Sequence, residues 1–138
     1  MKSRRFSVLS LLAFALLGGA CAYARSFSLT ASSTVPAASG TVEAKKDKNN
    51  NTVVTIKTVH LAEPGLLTPP ANTYVVWFQQ QGEEPMNEGQ LKIGKSLKGE
   101  FKTTTNFQNF DVLITAESDP IAKTQSGQTV LRAKVQAE

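Results

Sequence analysis

The chain has 138 residues, with 15 Lys and Arg against 11 Asp and Glu, for a net charge of +4 at pH 7. Three of those cations, Lys2, Arg4 and Arg5, belong to a removable leader; without them 12 cations face 11 acids, a net charge of +1. A nearly neutral chain with one cysteine and one histidine has no electrostatic footprint for nucleic acid or a membrane surface, no disulfide framework and no clustered metal ligands.

Residues 1–24 read as a secretory signal peptide. A basic start precedes an apolar stretch over residues 6–20, and Ala22 and Ala24 place small residues at the −3 and −1 positions of a cleavage site. The apolar stretch is short for a membrane span, and no stop-transfer pattern follows it. Cys21 offers a second route. Gly19 and Ala20 precede it as small residues precede a lipidated cysteine, although Gly18 stands where an aliphatic residue is usual. Cleavage after Ala24 leaves 114 of the 138 residues, enough for one domain and one core. Residues 25–40 read as an N-terminal strand with a loop or tether, and residues 41–138 as a β-sandwich domain.

Residues 27–31 alternate apolar and polar, the period of a half-buried strand. Residues 32–40 are small and contain Pro36, so a loop follows. Residues 41–45 and 52–61 form a predicted hairpin about the Asp47-Lys48-Asn49-Asn50-Asn51 turn, because Asn and Asp tolerate left-handed backbone. Pro64, Gly65, Pro69 and Pro70 exclude helix and ladder from residues 62–72, which read as a long crossing loop. Residues 74–78 are apolar on both faces and mark a covered central strand. Trp77 is expected to fill the core between the sheets. Residues 83–89 read as a turn. Residues 90–93 and 97–102 read as a second hairpin. Residues 110–116 place Phe110, Val112, Ile114 and Ala116 on one face, residues 119–128 are a loop, and residues 129–136 turn Leu131, Ala133 and Val135 inward. Seven to eight short strands at regular spacing, with no amphipathic helix, predict an all-β, immunoglobulin-like antiparallel β-sandwich.

Chemistry is sparse. His60 ends a strand beside a loop and reads as a surface residue. No Gly-x-Ser-x-Gly elbow and no Gly-rich phosphate loop occurs. Glu83 and Glu84 are neighbours in a turn and read as solvated. Asn50-Asn51-Thr52 matches a glycosylation sequon, a frequent chance pattern. Tyr74 and Phe78 share one strand face and Trp77 the other, so they do not form an aromatic platform. No catalytic residue, cofactor or metal is expected. Leu66 and Leu67, apolar residues in the long loop, are the first candidates for a contact surface.

Four segments, His60-Leu61-Ala62-Glu63-Pro64, Tyr74-Val75-Val76-Trp77-Phe78, the Gly82–Gly89 turn with Pro85, and the run from Phe110 to Thr115-Ala116-Glu117, together resemble the extracytoplasmic C-terminal domain of anti-sigma-K factors. The resemblance spans roughly residues 40–135 and implies a β-sandwich outside the cytoplasm, without catalytic residues. The cytoplasmic sigma-binding segment and transmembrane helix of those proteins have no counterpart here. The expected role is a non-catalytic, exported binding or sensing module of the bacterial envelope, periplasmic or secreted. Its partner would be an envelope protein or glycan, met through loops 63–72 and 81–89. The alternative is an envelope lipoprotein anchored through Cys21, which would touch the membrane by its lipid.

Overall fold

The computed structural model describes residues 23–137; the leader up to residue 22, Cys21 included, lies outside the described residues. Eight strands follow in chain order: β1 (Arg25–Ala31), β2 (Ser39–Lys46), β3 (Thr52–Val59), β4 (Thr73–Gln79), β5 (Met86–Leu91), β6 (Gly99–Thr105), β7 (Asn109–Glu117) and β8 (Thr129–Gln136). All neighbours are antiparallel, and the order across the single sheet is β5-β4-β7-β8-β1-β2-β3-β6.

The sheet bends at β1. Residues 25–29 of β1 pair with β2, whereas Thr30 and Ala31 pair with β8. Residues 25–40 thus contribute β1, its following loop and the start of β2. The two halves face each other. Val42, Ala44, Val54 and Ile56 of β2 and β3 share one buried cluster with Tyr74, Val76, Phe78, Val112, Ile114, Leu131 and Val135 of β4, β7 and β8. Alternation places these residues inward, since successive side chains of a strand point to opposite faces.

The β2–β3 hairpin forms as expected. Asn50 takes the left-handed conformation at its tip (φ 62°), and the Asp47 carboxylate accepts from the backbone N–H groups of Asn49 and Asn51 at 2.8 and 2.9 Å. The Asn51 N–H holds the Asp47 carboxyl below the ordinary carboxylate range.

The second hairpin does not form as expected. β5 pairs with β4 and β6 pairs with β3, so the two strands lie on opposite edges of the sheet. Only the tip of the hairpin forms: Ile93, just past β5, bridges Gly99 at the start of β6, and the Gly94 N–H donates to the Lys98 carbonyl, after which the strands diverge. Across the seam the Phe101 ring lies against Gly89, where a Cβ would sit 3.1 Å from the ring. That contact brings the two edges together and nearly closes the sheet on itself.

The turn read over residues 83–89 is shorter than expected, because β5 begins at Met86. A β-bulge conceals this strand in the sequence. Val76 pairs with Gly89 and Trp77 with Asn87, leaving Glu88 as the extra residue. Gly89 has φ 137°, a conformation that favours glycine.

Trp77 is buried, but not in the core enclosed by the sheet. It projects from the outer face of β4 into a second cluster with Val75 and Leu113, and Ala122 of the loop 118–128 covers them. β4 is a covered central strand as expected, with one face sealed by the opposite half and the other by this loop.

Candidate functional site

Glu117 organises the loop that seals this outer face. It ends β7 and is buried. Its carboxylate receives five hydrogen bonds. Thr115 Oγ1 donates to Oε1 at 2.5 Å, Ser126 Oγ to Oε2 at 2.7 Å and the Gly127 N–H to Oε2 at 3.0 Å. The Ser126 N–H spans both oxygens at 3.2 and 3.3 Å. Trp77 Nε1 donates to Thr115 Oγ1 at 2.7 Å, which orients that hydroxyl toward Glu117. A buried carboxylate is tolerable here because both oxygens are met by N–H or O–H donors. Gly127 allows the loop to lie this close, since a Cβ would fall 1.6 Å from the Ala116 carbonyl oxygen.

Asn87 fixes the same loop at its other end. Its side-chain amide donates to the carbonyls of Pro120 and Ala122 at 3.0 and 2.8 Å. Between β5 and this part of the loop lies a groove of about 740 Å³, bordered by Met86, Glu88, Ile121 and Lys123. Met86 is 52% exposed and Ile121 80% exposed, so two large apolar side chains stand at its rim. Burial pushes the Glu88 carboxyl above its ordinary value of 4.5.

The raised value gives Glu88 a definite pH signature. The folded state holds this proton more tightly than the unfolded chain. Its contribution to stability is therefore present below the ordinary carboxylate value and is lost as pH rises through the folded value. Glu88→Gln is expected to stabilise the protein at neutral pH, with the gain fading below the ordinary value. Urea melts of both proteins at neutral and acid pH test this; a gain that grows in acid would be the contrary result.

The residues expected to make contacts are split by the fold. Leu66, in the one-turn 3-10 helix Pro64–Leu66, is 76% exposed, whereas Leu67 is 7% exposed and packs into the core. They lie outside the 740 Å³ groove, whose border includes residues 85–89 of the other loop singled out in the sequence. His60 is exposed and left-handed (φ 54°), and Glu83 and Glu84 are exposed. Cys21, the candidate for lipidation, lies outside the described residues. Among the described residues there is no group of three or more His, Cys, Asp or Glu placed to hold a metal, and no helix long and apolar enough to cross a membrane.

Sequence reading missed Glu117 as a clamp. The available signal was an acidic residue directly after the mostly apolar run 112–116, but its donors from the loop lie nine and ten residues downstream.

Several of the residues behind the resemblance noted above bond one another. Tyr74 Oη donates to the Ala62 carbonyl at 2.7 Å, and Trp77, Thr115 and Glu117 form one chain of hydrogen bonds. Burial raises the Tyr74 hydroxyl from 10.0 to about 12. Its contribution to stability is present below the ordinary value and lost as pH rises through about 12. Tyr74 is the sole tyrosine beyond Ala24. In a chain starting at Arg25, tyrosinate absorbance is expected to appear only with alkaline unfolding; a rise near the ordinary value in folded protein would contradict this. No family model, curated protein or solved structure matches the chain.

Proposed function

We propose that this chain is an exported, non-catalytic binding or sensing module of the bacterial envelope, periplasmic or secreted, which takes an envelope protein as its partner in the groove beside β5. The observation behind this reading is the groove itself. A loop clamped at both ends, by Glu117 and by Asn87, presents exposed Ile121 next to exposed Met86. Function carried on loops held by a rigid sheet is the usual arrangement in such folds. Glu117, the buried acid of that loop, is saturated by donors from its own chain, which suits a structural role better than acid–base chemistry.

The finer fold reading is an immunoglobulin-like sandwich, resembling the anti-sigma-K C-terminal domain. Its support is the pairing of β3 with β6 on one half and of β4 with β7 on the other, which interleaves the halves as a Greek key does. Trp77 departs from the immunoglobulin pattern by facing outward. The leader at residues 1–24 supports export, and Cys21 keeps the lipoprotein alternative in view.

A photo-crosslinking residue placed at Ile121 in the native envelope, with Asn49 at the far hairpin tip as control, tests the groove. A discrete crosslinked species from Ile121 alone is expected. Equal labelling from both positions, or none from Ile121, would overturn the reading. Intact mass of the processed protein separates a start at Arg25 from an acylated start at Cys21.

A further inference from the structure

A second concavity lies on the outer face of the sheet, apart from the groove beside β5. It has a volume of about 440 Å³, within the range of small-ligand sites, and it spans β1, β8, β7 and β4 with Gln125 of the loop 118–128 at its wall. Strand register sets its floor in two rows. In the first, Gln79, Asp111 and Lys134 stand opposite one another across β4, β7 and β8. In the second, Leu113 stands opposite Arg132, and Arg132 opposite Thr30 of β1.

The rows differ in charge. Lys134 stands opposite Asp111 in the register, where opposite charges attract, although the two side chains form no ion pair among the described residues. Arg132 has Leu113 and Thr30 as its cross-strand neighbours, both uncharged. Among the described residues its guanidinium has no hydrogen-bond or ion-pair partner. The cleft therefore holds two cations and one anion, and Arg132 supplies the surplus. Gln125 closes one wall, with its Nε2 turned away from the cleft and shut off from solvent.

We infer that this cleft binds a hydroxyl-rich ligand of monosaccharide size carrying one carboxylate, a uronate unit. A single surplus guanidinium suits a monoanion, and its planar fork matches a carboxylate through two parallel hydrogen bonds. The amide of Gln79 and the hydroxyls of Ser28 and Thr30 both donate and accept, as sugar hydroxyls require. Because this surface is separate from the β5 groove, the inference stands or falls independently of the groove reading.

The test is a titration of the ¹⁵N-labelled protein with sodium glucuronate, followed through backbone amide shifts, with glucose and sodium acetate as parallel probes. Glucuronate is expected to give saturable shifts centred on Thr30, Leu113 and Arg132. Arg132→Gln is expected to weaken binding by about tenfold or more, the loss of one charge-assisted contact. Lys134→Gln is expected to weaken it less, because Lys134 already faces Asp111. Both side chains are exposed, so the fold is retained and the wild-type spectrum checks this. Glucose binding as tightly as glucuronate would remove the carboxylate from the argument. Acetate producing the same saturable shifts would remove the sugar. Absence of saturable shifts, or an unaltered affinity in Arg132→Gln, would overturn the site.

Discussion

Replacing Trp77 by alanine is expected to destabilise the protein by about 3–5 kcal/mol in urea melts, the range for truncating a large buried aromatic. The indole is fully buried between the outer face of β4 and the loop 118–128. Its removal deletes the largest side chain of the small outer cluster and leaves Val75 and Leu113 beneath a cavity. It also deprives Thr115 Oγ1 of the donor that orients it toward Glu117. Trp77→Phe should retain part of the packing and lose the hydrogen bond, and so fall between wild type and Trp77→Ala. The loss should be local as well as global. Amide exchange is expected to quicken over residues 118–128 before it quickens in β2 and β3, which share no contact with this cluster. A change under 1 kcal/mol would mean that the loop does not cover the indole.

Replacing Glu117 by alanine is expected to destabilise by about 3 kcal/mol, since each buried donor left without its acceptor costs about 1–3 kcal/mol and a freed loop recovers part of that from water. The stranded donors are Thr115 Oγ1, Ser126 Oγ and the N–H groups of Ser126 and Gly127. Glu117→Gln is the sharper comparison. It preserves volume but presents an amide NH2 to a site lined by donors, so it should recover only part of the loss. Thermal melts of the three proteins measure the order, wild type above Gln above Ala. If Glu117→Gln matched wild type, the carboxylate would not be the acceptor that holds the loop. Both substitutions should also loosen the border of the 740 Å³ groove, because Ile121 and Lys123 belong to the same loop.

The two substitutions converge on one chain of contacts. Trp77 and Thr115 are 38 residues apart, and Glu117 and Ser126 are 9 apart. Destabilisation by the double variant should therefore be less than the sum of the single effects, since both remove the same attachment of the loop. The inner core, built on β2, β3, β4, β7 and β8, does not depend on this attachment.

Much of the β-architecture was legible in the chain because it rests on local period and turn chemistry. Alternation located β1, β2, β7 and β8, a β-branched run located β3, and β8 was placed to the residue at 129–136. The Asp-Lys-Asn-Asn-Asn run located the first hairpin, because its side chains and its left-handed Asn50 act within the turn itself. Parity also assigned Tyr74 and Phe78 to one face of β4 and Trp77 to the other, and that holds. What parity cannot assign is which layer covers each face. Trp77 is buried on the outward face because Ala122, 45 residues downstream, folds back over it, and no periodicity in residues 74–78 contains that information. The same limit explains β5 and β6. They are neighbours in sequence with a short connection, which favours a hairpin, yet each obtains more ladder pairing from β4 and β3 than from the other. The bulge at Glu88 broke the alternation that would have marked Met86 as the strand start. Sequence by itself thus determined most of the strands, the hairpin tip and the all-β class, since these depend on residues within a few positions of one another. The outer cluster, the Glu117 clamp, the groove and the Arg132 cleft were decided by tertiary structure, because each is assembled from strands and a loop whose meeting depends on long-range pairing.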